Sequence, residues 1–406
     1  MAGPLSVAEA RERLCADARE RFNKRAASRQ TVPLVQACGR VLAQDVVAGV
    51  DVPPAANSAM DGYALASVDA CAGAVLPVSQ QVAAGSVAQP LAAGTCARIL
   101  TGAELPAGAD TVIIQENCER SGDQVTLKQA AQRGDNIRPQ GQDIAAGSVV
   151  LTAGQRLRAQ DVALLASIGC AEVAVQPLLK VAVLATGDEL VEPGQPLGAG
   201  QIYNSNRYLL AAMLGELGVE VTYLPAVADT LEATTEALRQ AASGADIVVS
   251  TGGVSVGDAD YIKPAVESLG ALDIWKIALK PGKPLAFGRV GTTPFFGLPG
   301  NPVSAFVTFV LLLEPYVHTM QGAQAAALEI HQRPAQFDRR KAGRRDEYLR
   351  GRMTDAGVTL HPQQSSGALS SVNWADCLVW LKAGETVAEG ALVQVLPLRQ
   401  WRAAMV

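Results

Sequence analysis

DIVVSTGGVSVGDADYIKP, Asp246–Pro264, is the stretch from which the rest of the chain is read. Asp246–Ser250 (DIVVS) predicts a buried strand and Tyr261–Leu269 a helix. Between them, Thr251–Asp260 holds three glycines, the hydroxyls of Thr251 and Ser255, and the carboxylates Asp258 and Asp260. A glycine-rich turn from strand to helix brings backbone N–H groups close to an anion. Carboxylates beside such an anion point to a hard divalent cation bridging the two. Thr251–Pro264 is therefore expected to floor an active site for a phosphorylated substrate.

The same pattern repeats around it. Strands are predicted at 181–186, 219–224, 272–277, 285–290 and 295–298. Helices are predicted at 204–217, 230–242, 260–269 and Val303–Met320. Such alternation predicts a three-layer α/β domain with a mostly parallel sheet over 178–326. Ligands of these sheets lie at the carboxyl ends of the strands. Gly187-Asp188-Glu189, Ala228-Asp229-Thr230, the opening loop, Lys280-Pro-Gly-Lys283-Pro284 and Pro299-Gly-Asn301-Pro302 all follow strands, so they should share one rim.

Upstream, Ser6-Val-Ala-Glu9 is a capping box opening a helix over 7–22. Arg40–Val47 reads as a short extended or mixed segment broken by Pro53-Pro54. Asn57–Ala64 (NSAMDGYA) reads as a turn, in its plainest form a hairpin tip. Short apolar runs separated by Gly, Asp and Pro turns over 75–150 predict a small β-rich domain. Thr101 ends one of its strands, and 134–144 is a polar loop carrying Arg138 and Asp143. A helix is predicted at Ala159–Ile168 and a strand at Glu172–Val175. Beyond about 327 the alternation stops, and short strands predict a small all-β module.

A chain of 406 residues, 49% hydrophobic and 18% charged, is globular and too long for one core. A net charge of −5 argues against broad nucleic-acid binding. Seven scattered cysteines without a C-x-x-C fit reduced thiols of a cytoplasm. Three late histidines (318, 331, 361) without metal spacing argue against a histidine zinc site. No apolar signal segment opens the chain. Val303–Leu313 is about half the length that spans a bilayer and reads as a core helix.

On the rim, Glu189, Asp229 and Asp260, with Asp188 and Asp258 nearby, would repel one another unless a cation such as Mg²⁺ sat between them. Asp229 and Asp258 are also placed to cap helices. Lys280 and Lys283 supply two ammonium groups on a proline-stiffened loop, suited to an oxyanion or simply solvated. Asn301 and Pro302 open a helix whose N-terminus faces the rim, with Ser304 behind them. These residues alone describe a Mg²⁺-dependent enzyme acting on a phosphate or oxyanion substrate, without naming it. No G-x-G-x-x-G, Walker A or Ser/His/Asp set is present.

NSAMDGYA, TGAELPAGAD, ATGDEL, TGGVSVGDADY, LKPGKP, LPGNPVS and RDEYLR occur in an order that resembles the molybdopterin molybdenumtransferase family, the bacterial counterpart of the gephyrin E domain. The resemblance runs from about residue 5 to the end. It implies conversion of adenylylated molybdopterin and molybdate to molybdenum cofactor, with release of AMP and with Mg²⁺ involved. It implies Glu189, Asp229 and Asp260 as metal carboxylates, and Asp61, Glu189 and Asp260 as catalytic groups. Lys280, Lys283, Ser304, Arg345, Arg350 and Ser370 are implied for molybdate. Thr101, Arg138, Asp143, Gly252, Gly253, Ser255 and Asn301 are implied for the substrate and its phosphates. The pattern G-G-x-S-x-G-x-x-D ends on Asp260, which leaves Asp258 as a cap.

The resemblance also implies a homodimer in which Asp61, Thr101, Arg138 and Asp143 act across the dimer on the partner's cleft. The molybdopterin adenylyltransferase is a candidate partner; no membrane partner is implied. Residues 1–50 would pack with 147–177 as a mixed α/β dimerisation domain, 51–146 would form the inserted β-rich domain, and 327–406 a β-barrel-like module. Three features depart from the family pattern. Gln140 and Gln142 stand in a loop usually richer in charge. Asp376 stands where asparagine is usual, after the serine-rich QSSGALSS (364–371). The arginine cluster Arg344, Arg345 and Arg350 matches a basic strand without showing which member reaches the cleft. The alternatives are a molybdopterin adenylyltransferase type of nucleotidyl transfer, and a gephyrin-like scaffold.

Overall fold

The computed structural model describes residues 4–25, 28–225, 227–253, 261–274, 277–282, 285–324 and 328–398. Ser255, Asp258, Asp260 and Lys283 lie outside them. The protein is a multidomain α/β chain. Its α/β unit is built on a six-stranded sheet in the order Glu220–Tyr223, Lys180–Ala185, Ile247–Thr251, Thr293–Leu298, Ala286–Val290, Gly270–Ile274. The first three pairings are parallel and the last two antiparallel, so only Ala286–Val290 runs against the others. Strands buried on both faces read as near-continuous apolar runs. Val181, Val183, Val249 and Phe296 pack one face against Leu210, Val303 and Tyr316. Ala182, Leu184, Val248 and Phe295 pack the other against Leu238, Ala241, Ile262 and Ala265.

The N-terminal helix runs Val7–Arg25, opened by the expected capping box: the Glu9 N–H donates to Ser6 Oγ (3.2 Å) and the Ser6 N–H to Glu9 Oε2 (2.9 Å). Its buried stripe, Val7, Ala10, Leu14 and Ala18, belongs to the α/β core. The Tyr316 hydroxyl donates to Asp17 Oδ2 at 2.6 Å, and burial drives that phenol far above its ordinary pKa. This differs from the expectation that residues 1–50 as a whole pack with 147–177. The helix is claimed by the larger apolar face. It is Gln30–Pro33 and Val46–Val47 that pair with Glu172–Val175 and Val149–Leu151.

NSAMDGYA is not a hairpin tip. Asn57–Ser58 pairs with Ile137–Arg138, whereas Gly62–Leu65 lies inside a six-stranded sheet between Cys96–Ile99 and Thr111–Ile114. Four consecutive buried residues, Gly62–Leu65, put that second half in a core, where no local turn signal reaches. The helix expected at Val303–Met320 is also broken. Pro302–Thr308 widens into a π-helical turn, Phe309–Leu313, before Glu314–Met320. Pro315 lacks an N–H and its ring crowds the carbonyl one turn back, which favours the wider turn. Pro302–Met320 is long and apolar enough to cross a membrane, but 78% of its apolar window is buried inside the protein.

The C-terminal sheet orders Leu279–Lys280, Asp346–Thr354, Cys377–Leu381, Leu392–Pro397 and His331–Pro334, with Gly357–Leu360 on Asp346–Thr354. A bridge between Ala335 and Val358 brings its ends together. It is not all-β: Leu369–Trp374 is a short helix in the serine-rich segment. Its edge strand, Leu279–Lys280, comes from the α/β unit and pairs in parallel with Asp346 and Glu347.

Candidate active site

A cleft of ≈ 690 Å³ opens at the carboxyl ends of the parallel strands. Thr186, Glu189, Gly252, Gly253 and Asn301 line it, and so do Gly367 and Leu369 of the C-terminal module. Gly252 and Gly253 at the start of the opening loop, the GDE loop and the PGNP loop therefore share a rim, with the serine-rich segment as another wall, whereas Ala228–Thr230 and Lys280 are not among its lining residues.

The glycines are there for space. Gly252 and Gly253 have φ +84° and +65°. A Cβ on Gly252 would sit 2.9 Å from the Thr186 carbonyl, and one on Gly253 would sit 2.5 Å from Ile262 Cγ1 and 2.8 Å from Thr186 Oγ1. Only residues without a side chain let the turn lie this close to the neighbouring strand end.

Asn206, read from sequence only as part of a helix start, ties the floor together. Its Nδ2 donates to Thr251 Oγ1 (2.8 Å) and to the Gly300 carbonyl (2.7 Å). A carbonyl can only accept, so the amide orientation is set and Oδ1 faces away from both. Among the described residues, Asn206 Oδ1, Thr186 Oγ1 and Ser250 Oγ are buried without a partner. Asn204 caps the helix, accepting from the Arg207 N–H at 3.2 Å.

Glu189 lies on the cleft, its carboxylate folded against Gly187, whose Cβ would otherwise meet it. Asp188 and Asp229 exchange backbone contacts: the Asp188 N–H donates to Asp229 Oδ2 and the Asp229 N–H to Asp188 Oδ1, both 3.4 Å. Asp229 is not the cap expected of it. Thr230 caps the helix Leu231–Gly244 through its side chain, accepting from the Ala233 N–H. Among the described residues no three metal-ligating side chains converge. Asn301 occupies the N-cap position of Pro302–Thr308 without a side-chain hydrogen bond, and Ser304 is buried behind it.

The basic residues divide by environment. Lys280, half-exposed, is paired with buried Glu347 at 2.8 Å, and Arg339 takes the other carboxylate oxygen at 2.7 Å. Arg345 holds the Leu279 carbonyl at 2.9 Å. Arg350 is fully buried. Its Nε donates to Ser371 Oγ (3.0 Å) and one terminal nitrogen to the Ser365 carbonyl (3.2 Å), while Nη1 has no partner among the described residues. Burial draws this guanidinium down to about 10, so it remains charged at neutral pH. The serine beside it is Ser371, which is buried; Ser370 is exposed. Asp376 is committed elsewhere, accepting from the Met353 N–H at 2.8 Å.

On the inserted domain, Asp61 Oδ1 accepts from the Thr101 N–H (2.7 Å) and hydroxyl (2.8 Å), which lower the Asp61 carboxyl below its ordinary pKa in that order of weight. Arg138 and Asp143 are exposed. None of these four lines the cleft.

Residues 5–169 match the model described as MoeA N-terminal region (domain I and II), 182–319 the probable molybdopterin binding domain, and 332–398 the MoeA C-terminal region (domain IV). A molybdopterin molybdenumtransferase of Nostoc sp. is 37% identical over 386 residues, covering 91% of this chain and 88% of that protein. The chain belongs to the molybdopterin molybdenumtransferase (MoeA) family. The family member from Haemophilus influenzae is 44% identical over 291 residues, covering 71% of this chain and 72% of its own. A crystal structure of the molybdopterin biosynthesis moeA protein from Pyrococcus horikoshii superposes with a TM-score of 0.83 at 28% identity, covering 98% of this chain and 100% of that one. The three matched regions together run from the N-terminal helix to the C-terminal sheet.

Proposed function

We propose that this protein inserts molybdenum from molybdate into adenylylated molybdopterin and releases AMP, as water cleaves the phosphoanhydride that joins the molybdopterin phosphate to AMP. One observation carries this assignment. The strand-end cleft of Glu189, Gly252, Gly253 and Asn301 is walled by the same serine-rich segment that holds buried Arg350. The Gly252 N–H is already given to the Leu298 carbonyl at 3.2 Å, so Gly253 would be the glycine to face a phosphate, and a buried guanidinium with an unpaired N–H suits a tetrahedral oxyanion.

Molybdate would be held by Arg350, Lys280, Lys283 and Ser304, with Arg345 fixing the loop and Ser370 or Ser371 completing the shell. Lys280 brings its ammonium already oriented by Glu347. Mg²⁺ is the proposed metal. Glu189, Asp229 and Asp260 offer oxygen donors only, the chemistry a hard cation takes. Such an ion would neutralise charge developing on the leaving phosphate.

The α/β unit would act as a three-layer domain within a homodimer, in the cytoplasm. Asp61, Thr101, Arg138 and Asp143 would reach the partner's cleft from the inserted β-rich domain. The molybdopterin adenylyltransferase would hand over the adenylylated intermediate. All seven cysteines are free, which fits a reducing compartment.

The test is to supply adenylylated molybdopterin, Mg²⁺ and molybdate and to follow AMP. Molybdate-dependent AMP release with cofactor formation is expected. Pyrophosphate release from ATP and molybdopterin without molybdate would instead make the protein an adenylyltransferase. Unchanged AMP release in Asp260→Ala would remove the metal role from the opening loop.

A further inference from the structure

We propose that Tyr203 stacks against the planar heterocycle of the substrate and so fixes where that ring sits in the cleft. This rests on the function proposed above and adds a ring-binding residue to it.

The cleft is divided by chemistry. Its floor, Thr186, Asn206, Thr251 and the two glycines, is polar and offers no flat apolar surface. A phosphorylated substrate that carries a ring must place that ring elsewhere. Pro299, Pro302 and Leu369 line other walls, and one apolar side is an arm that leaves the sheet after Lys180–Ala185 and returns to the helix Ser205–Glu216. Leu190–Val191 and Ile202–Tyr203 pair in parallel within it. Leu190, Ile202 and Tyr203 line the cleft, and Tyr203 is the one aromatic among the described lining residues.

Ile202 and Tyr203 are 55% and 45% exposed. Exposed apolar side chains at the mouth of a polar cleft, on a ladder of only two residue pairs, contribute little to folding there. The arm is nonetheless held in place. The Ile202 N–H donates to the Glu189 carbonyl at 2.8 Å and the Asn204 N–H to the Val191 carbonyl at 2.9 Å. Glu192 accepts from Arg207 Nη1 (2.8 Å) and from the Tyr208 hydroxyl (3.0 Å), both on the following helix. The Tyr203 hydroxyl donates to the Gln195 carbonyl at 3.1 Å. Its polar tip is thereby tied back to its own arm, and the ring is restrained before any ligand arrives. A restrained aromatic at the edge of a phosphate-binding floor is how proteins accept a heterocycle without reading every hydrogen bond on it.

Adenine and pterin are both planar heterocycles, and they are separated by probe. Binding of AMP, ribose 5-phosphate and 6-hydroxymethylpterin is measured by calorimetry on the full chain, wild type, Tyr203→Ala and Tyr203→Phe. Circular dichroism checks the fold. Tyr203→Ala is expected to lose roughly tenfold or more in affinity for one ring-bearing probe. Ribose 5-phosphate affinity should not change, and Tyr203→Phe should keep most of the binding. Loss confined to AMP assigns the ring to adenine, and loss confined to the pterin assigns it to the pterin. Unchanged affinity for both in Tyr203→Ala overturns the stacking role while leaving the proposed function standing. Equal loss in Tyr203→Phe also overturns it, because the hydroxyl tether would then be the active feature. A wild-type protein that binds neither AMP nor pterin removes the proposed function and this role with it.

Discussion

Arg350→Met separates a guanidinium kept for folding from one kept for an anion. Arg350 is wholly buried, and no carboxylate is among its described partners. Burial lowers its pKa to about 10. That drop corresponds to roughly 3 kcal/mol of destabilisation of the charged form, which an uncharged, shorter methionine would relieve. Against this stand two hydrogen bonds. Ser371 Oγ keeps its own bond to the Ala368 carbonyl at 2.6 Å, so it is not orphaned. The Ser365 carbonyl loses the Arg350 donor, a cost of about 1–3 kcal/mol if it stays dry. The opposing effects are of similar size, so the change in unfolding free energy should stay below about 2 kcal/mol. Removing the cation from a bound dianion should cost about 2–5 kcal/mol, hence a loss of roughly 30-fold or more in affinity. Urea unfolding gives the first quantity and calorimetric titration with molybdate or tungstate the second. A fall in stability beyond about 4 kcal/mol with anion affinity intact would mean that the guanidinium is structural and would refute the reasoning.

Gly253→Ala forces a Cβ against Ile262 and Thr186 at φ +65°. It should cost about 1–3 kcal/mol in unfolding assays and abolish AMP release, because the turn must move off the neighbouring strand end. Asp61 should titrate below 3.8 in a carbon-detected NMR titration. Its folded pKa is lowered, so the Asp61–Thr101 tie is complete above the unfolded value and is lost as pH falls through the folded one. Thr101→Val should move the titration upward but not wholly to 3.8, since the Thr101 N–H still donates. Thiol labelling should be fast at exposed Cys38 and Cys71 and slow at Cys96 and Cys118, which burial pushes up to about 12 and about 11. Rapid labelling of the buried pair in native buffer would show that the inserted sheet opens.

Local chemistry made much of the fold legible. The capping box at Ser6–Glu9 and the strand–helix alternation from Lys180 depend on neighbours in sequence. Glu189, Gly252, Gly253 and Asn301 could be placed on one rim because a parallel sheet puts all its strand ends on one side. NSAMDGYA could not be read this way, since a turn signal does not say that its two halves enter different sheets. Nor could Asn206, whose cap-like setting hides a side chain bonded across the floor to Thr251 and Gly300.

By itself the sequence determined the strand–helix alternation of the α/β unit, where phosphate-suited turns occur, and which family order they follow, because each depends on spacing along the chain. Only the tertiary structure decided which of Arg344, Arg345 and Arg350 is buried, that Lys280 is shared with Glu347, and that Gly367 and Leu369 wall the cleft. Those facts depend on contacts between units far apart in sequence, where desolvation and pairing set a charged group's role and local pattern carries no trace of them.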